Sequence, residues 1–248
     1  MLGCIVYLVG SKKKFVDDFK HSLMLLKRNY LNDYPTDVIC FHEADLSPDT
    51  RQDIESVSGI HLIWIEVKFT IPDWIDRSKL WDKDRVGYCH MCRFWTSQVW
   101  KRPILDNYQY CLRLDTDSEI LSPVGFNLFE EMKRRNAIYG YVQGSDNIME
   151  QPQFVSGLQE VLDQAGYRYY SDLRHVYYTN FEICKIDWFR SEDWSKFANV
   201  VDNSGLHFYS RLGDHVCRWI GLHLLANQKD IYSIRIHYRH QPFEWNKT

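Results

Sequence analysis

A strand, a helix and a second strand follow one another at the start of the chain, and this order restricts the fold more than any other feature. Ile5-Val6-Tyr7-Leu8-Val9 is an unbroken apolar run closed by Gly10-Ser11. Phe15, Phe19, Leu23, Leu26 and Tyr30 then recur at helical spacing, which predicts an amphipathic helix to about residue 31. Residues 38–42 and 60–67 supply two more short apolar runs, separated by a polar stretch. Such alternation belongs to an α/β fold, a parallel or mixed sheet covered by helices.

The same reading continues along the chain. A helix is expected over residues 89–100, ended by Pro103, and another over 127–135, with a strand over 138–142. Residues 144–171 are polar and broken by Gly and Pro around one helix at 156–165, the pattern of an insertion or mobile segment. A strand at 181–186, helices around 194–201 and after Gly213, and a last strand near 232–236 complete the order. No repeat, low-complexity tract or linker interrupts it, so one domain over residues 1–248 is the simplest organisation.

Within this pattern, Tyr108 to Leu114 is a largely apolar run that delivers Asp115-Thr116-Asp117 at its end. If the extended geometry persists, side chains two apart project to one side. Two carboxylates so placed hold a hard divalent cation, which in turn neutralises a diphosphate; a solvated acidic pair is the plain alternative. Ligands of open α/β sheets sit beyond the carboxyl ends of strands, which is where this pair falls. Arg113, one period-2 step earlier, adds a cation for an anionic ligand.

Composition narrows the partners. A net charge of −3 offers no general attraction to nucleic acid or an anionic membrane, so neither is expected as a partner. No apolar stretch approaches the roughly 18 residues that a membrane span needs. The seven cysteines are odd in number and scattered through apolar segments, which suits a reducing compartment. Cys89-His90-Met91-Cys92 has C-x-x-C spacing but lacks the second pair of a zinc knuckle, so both thiols read as structural. Nine Trp and sixteen Tyr fit aromatic faces stacked on sugar rings, and equally an aromatic core.

Several phrases converge on a family. Gly87-Tyr88-Cys89-His90-Met91-Cys92-Arg93-Phe94 and Arg113-Leu114-Asp115-Thr116-Asp117 are followed by Thr179-Asn180-Phe181-Glu182-Ile183, Arg211-Leu212-Gly213-Asp214 and His237-Tyr238-Arg239-His240-Gln241-Pro242-Phe243. In this order, from about Cys4 to Phe243, they resemble glycosyltransferase family 15, the fungal α-1,2-mannosyltransferases. The resemblance implies a GT-A fold, a GDP-mannose donor, Mn2+ or another divalent cation, and transfer with retention to a glycan or glycoprotein acceptor. It places the metal on Asp115, Asp117 and His240, with Asp115-Thr116-Asp117 standing where the family usually has Glu-Pro-Asp. It makes Glu182 the proposed nucleophile, or the carboxylate that stabilises an oxocarbenium-like transition state in same-face attack. A structural ion pair is the alternative reading of Glu182.

By the same resemblance Asp214 is an acidic residue that orients donor or acceptor hydroxyls. Tyr88, Arg93 and Arg113 are the candidates for nucleotide and diphosphate contacts, since an Arg fork matches phosphate oxygens; Arg93 reads alternatively as a buried ion-pair partner. The family's members are anchored Golgi enzymes with disulfides. A chain that starts at its first strand and has scattered cysteines is expected instead in the cytoplasm, and a viral or protist gene would fit. The competing functions are transfer from another nucleotide sugar, glycan binding without turnover, and metal-dependent phosphohydrolysis.

Overall fold

The computed structural model describes residues 1–146 and 148–240. In chain order its strands are β1 (Gly3–Val9), β2 (Asp37–His42), β3 (Ile63–Glu66), β4 (Tyr110–Leu114), β5 (Ser118–Ile120) and β6 (Tyr139–Val142), then β7 (Ile148–Met149), β8 (His175–Val176), β9 (Phe181–Lys185), β10 (Ile231–Ile234) and β11 (Tyr238–His240). The helices are α1 (Lys13–Leu26), α2 (Pro48–Ser58), α3 (Val86–Arg93), α4 (Leu128–Arg134) and α5 (Leu158–Gln164). They continue with α6 (Ile186–Phe189), α7 (Glu192–Ser204), α8 (Leu206–Tyr209) and α9 (Asp214–Leu225).

Seven strands form one sheet in the order β10-β6-β9-β4-β1-β2-β3. Only β9 runs against its two neighbours, β6 and β4, while the other pairings in this sheet are parallel. The expected mixed, mainly parallel sheet is therefore present. Period-2 alternation divides its side chains between two cores. Cys4 and Val6 of β1, Cys111 of β4 and Cys184 of β9 join the core that includes α7 and α9. Ile5, Tyr7 and Val9, with Leu112 and Ile183, join the core under α1 and α4. Burial on both faces explains why these strands read as continuous apolar runs rather than alternating ones.

Local chemistry sets most boundaries. Helix α1 buries Phe19, Leu23 and Leu26, each worth about 1.5–3 kcal/mol, and then widens into a π turn over Lys27–Leu31. Helix α2 has no counterpart in the periodicity argument. Its signals are a cap and a stop: Ser47 Oγ accepts from the Thr50 N–H, Pro48 opens the first turn, and Gly59 closes it at φ 62°. The expected 89–100 helix begins earlier, at Val86, and passes from α3 into a π turn over Phe94–Gln98. The 156–165 helix starts at Leu158, because Gly157 is left-handed. Antiparallel pairing of Ile148 with Val176 and of Met149 with His175 ties the two ends of the 144–171 region together. Among the described residues, no helix is long and apolar enough to cross a membrane. All seven cysteines are buried free thiols.

Candidate metal and donor site

Strand β4 stops at Leu114, and the acidic pair lies in a turn, not in continued strand. The Ser118 N–H donates to Asp115 O at 3.0 Å, and the Asp115 N–H donates to Asn180 O at 3.1 Å. The extended geometry expected for Asp115 and Asp117 is thus replaced by a turn, yet the two carboxylates still converge. Ser118 Oγ accepts from the same Asp115 N–H at 3.1 Å and donates to Asn180 O at 3.0 Å. The Tyr238 hydroxyl lies 2.7 Å from Ser118 Oγ and donates to Asn180 Oδ1 at 2.8 Å. The turn is therefore clamped between the approach to β9 and strand β11.

His240 reaches the pair through a β-ladder. Strand β11 runs antiparallel to β5, with Tyr238 opposite Ile120, Arg239 opposite Glu119 and His240 opposite Ser118. Arg239 Nε donates to the buried Glu119 carboxylate at 2.8 Å, which fixes that register electrostatically. His240 Nε2 then lies 3.0 Å from Asp117 Oδ1 and 3.9 Å from Asp115 Oδ2. One donor atom from each of the three residues falls within 4.8 Å of the others. Ligands of a single small divalent ion lie about 3 Å apart as neighbours and about 4–5 Å apart when opposite, so the set fits one cation. Two carboxylates with one imidazole suit a Mn2+-type ion. Gln241, Pro242 and Phe243 of the late motif lie outside the described residues.

Behind the triad lies a buried ion network. Arg113, 3% exposed, points its fork at Asp115 Oδ1, with Nε at 3.1 Å and Nη2 at 3.0 Å. Its Nη1 donates to Asp214 Oδ2 and lies 3.6 Å from Glu182 Oε1. Arg113 and Glu182 are opposite residues of the β4–β9 ladder, so they share a face of the sheet. Arg218 of α9 completes the network: Nε donates to Glu182 Oε2 at 2.7 Å and Nη2 to Oε1 at 2.9 Å. Asp115, Asp117, Asp214 and Glu182 against Arg113 and Arg218 leave a formal charge of −2, which one divalent cation cancels.

Titration follows these contacts. Burial would raise the Asp214 carboxyl, but Arg113, His215 and the Thr179 hydroxyl hold it far below the usual range. Thr179 Oγ1 donates to Asp214 Oδ2 at 2.8 Å. Burial pushes Asp115 up despite Arg113 and His240; burial opposes ionisation of Asp117 too, but the hydrogen bond and charge of His240, a backbone N–H and the charge of Lys14 together hold that carboxyl below the usual range. Acidic residues with such divergent environments are the mark of a functional site.

The other expected site residues sit as follows. Glu182 is fully buried and held by Arg218, so its structural ion-pair reading is physically present. Arg93 sits in the ion pair given above as its alternative reading: Asp202 of α7 takes its fork, with Nε at 2.6 Å and Nη2 at 2.9 Å. Arg113 likewise directs its donors to Asp115 and Asp214, with its guanidinium 4.4 Å above the Trp95 ring. Tyr88 is half-buried, its ring 4.4 Å from the Arg211 guanidinium, and burial pushes its phenol up. Arg218 and Tyr178 escaped sequence reasoning. The available signals were a charge inside the apolar helix Val216-Cys217-Arg218-Trp219-Ile220, four residues after Asp214, and a polar aromatic just before Thr179-Asn180-Phe181-Glu182.

The family model for glycolipid 2-alpha-mannosyltransferases matches residues 2–245. The chain belongs to this family. Among curated relatives of this mannosyltransferase family, the probable mannosyltransferase KTR3 of Saccharomyces cerevisiae is 28% identical over 194 residues, covering 66% of the chain and 47% of the relative. The O-glycoside alpha-1,2-mannosyltransferase omh1 of Schizosaccharomyces pombe is 25% identical over 255 residues, covering 90% and 65%. The chain thus spans about half to two thirds of these relatives' lengths. Core-mannan synthase A from Aspergillus fumigatus, in a Mn/GDP form, superposes with a TM-score of 0.84 at 21% identity, covering 98% of this chain and 75% of that one. The mannosyltransferase Ktr4p of S. cerevisiae in complex with GDP gives 0.80 at 22% identity, covering 97% and 71%. The fold is therefore the GT-A type shared by these glycosyltransferases.

Proposed function

We propose that the chain is a metal-dependent retaining glycosyltransferase that moves mannose from GDP-mannose to a hydroxyl of a glycan or glycoprotein, forming an α-1,2 linkage. The observation that carries this reading is the convergence of Asp115, Asp117 and His240 beyond the carboxyl end of β4, in a chain of this family. Relatives described in Mn/GDP and GDP forms support the same cation and nucleotide. A divalent cation held by the three residues would neutralise the diphosphate of the leaving group. Arg113 keeps the Asp115 carboxylate in place for that purpose, and Asp214 keeps Arg113 in place. Tyr88 serves nucleotide or diphosphate contacts, and Asp214 orients donor or acceptor hydroxyls. The burial of Glu182 and its fork from Arg218 favour a stabilising carboxylate over a free nucleophile. The chain acts as one catalytic domain, and its seven free thiols support a reducing, cytoplasmic setting.

The test is nucleoside diphosphate release from a panel of nucleotide sugars with Mn2+, with and without simple mannosides. Release from GDP-mannose that rises with a mannoside and disappears in Asp117→Ala is expected. Release from another donor overturns the sugar and keeps the mechanism. Silence across the panel overturns transfer and favours glycan binding.

A further inference from the structure

His240 offers a metal only one of its two ring nitrogens, and the other has a partner of its own. The Tyr178 hydroxyl lies 3.0 Å from His240 Nδ1. The rings meet edge to face, with centroids 5.1 Å apart at 84°. Tyr178 is itself held firmly: its N–H donates to Ser145 O at 2.7 Å, and Thr179, the next residue, is bonded to Asp214. The opposite nitrogen, Nε2, faces the two carboxylates.

We infer that Tyr178 is a positioning residue that fixes the His240 ring for metal binding through Nε2. This inference rests on the metal reading of the site. An imidazole that gives its Nε2 lone pair to a cation must carry its proton on Nδ1. A phenolic oxygen accepts that Nδ1–H, and the same hydroxyl donates when Nδ1 is bare, so it serves the ring with and without the cation. The edge contact limits rotation about the ring axis and keeps Nε2 aimed at Asp117. Partners of this kind typically change metal affinity by about 10–100-fold when removed. Tyr178 is 39% exposed, so water partly replaces its oxygen and the lower end of that range applies.

The test is a Mn2+ titration of metal-stripped protein, read from the electron paramagnetic resonance signal of the free aqua ion. It compares the native chain, Tyr178→Phe, His240→Ala and the double variant. Tyr178→Phe keeps the ring and loses only the oxygen. It is expected to weaken Mn2+ binding about tenfold and to leave the melting temperature of the metal-free protein unchanged. In the His240→Ala background the same change is expected to have no further effect, since the oxygen acts through the imidazole. Native affinity in Tyr178→Phe, or an equal loss in both backgrounds, overturns the inference even if the single variant folds poorly. A native chain that takes up no Mn2+ overturns the metal reading together with it. Failure of sugar transfer alone touches neither result.

Discussion

Replacing Arg218 by Met tests the buried network at its most exposed assumption, that Glu182 is ionised because Arg218 holds it. Arg218 is 1% exposed and Glu182 fully buried, and two of the three guanidinium nitrogens serve the carboxylate. The aliphatic stem and part of the packing between Phe189 at 4.6 Å and Trp194 at 5.1 Å survive in Met. The fork does not, and among the described residues Glu182 retains only Arg113 Nη1 at 3.6 Å as a nearby cation. Breaking a buried pair on one side costs about 3–5 kcal/mol. At this chain length the loss corresponds to a fall in melting temperature of about 6–20 °C.

Urea unfolding at constant m-value reads the loss directly. A second substitution sharpens the test. Glu182→Gln added to Arg218→Met should recover most of the loss, because it removes the unpaired charge and keeps the shape. A loss below about 1 kcal/mol, or one that Glu182→Gln does not relieve, would refute the ion-pair reasoning.

Two further perturbations probe the frame around the site. Asp214 has a depressed folded-state pKa, so its stabilisation is complete above the ordinary aspartate range and fades as pH falls below it. Asp214→Asn should cost roughly 3 kcal/mol at pH 7, and its unfolding midpoint should approach the native one in acid. Gly3→Ala places a methyl 2.3 Å from the Phe129 ring at the start of β1, next to β4. Overpacking of this kind costs about 1–3 kcal/mol, and calorimetry should show it as a lowered melting temperature.

How much was legible in the residues differs between frame and site. Strands β1, β2, β4, β6 and β9 were all marked by apolar runs, since each is buried on both faces and leaves no polar alternation. The helix α2 was hidden because it buries little, only Ile54 and Ser58, so that capping residues rather than periodicity marked it. The acidic pair was visible as a strand-end motif, but its shape was not: Asp115 and Asp117 share a turn whose closure depends on Ser118, Asn180 and Tyr238. The partners of the arginines were hidden for a related reason. Arg93 and Arg113 carry the right chemistry for phosphate, and the structure pairs them with Asp202 and Asp214, both about a hundred residues away.

By itself, then, the sequence determined the alternation of strands and helices, the place of the acidic pair at a strand end, and membership of a family. These rest on local patterns that persist whatever lies across the fold. Only the tertiary structure decided that β9 enters antiparallel beside β4, setting Glu182 opposite Arg113, and that α9 sends Arg218 to the same carboxylate. It also decided that β11 pairs with β5 in the register that carries His240 to Asp117. Register and ion-pair choice are settled by competition among partners distant in sequence, inside an interior where each unpaired charge is costly, and local spacing carries no record of that competition.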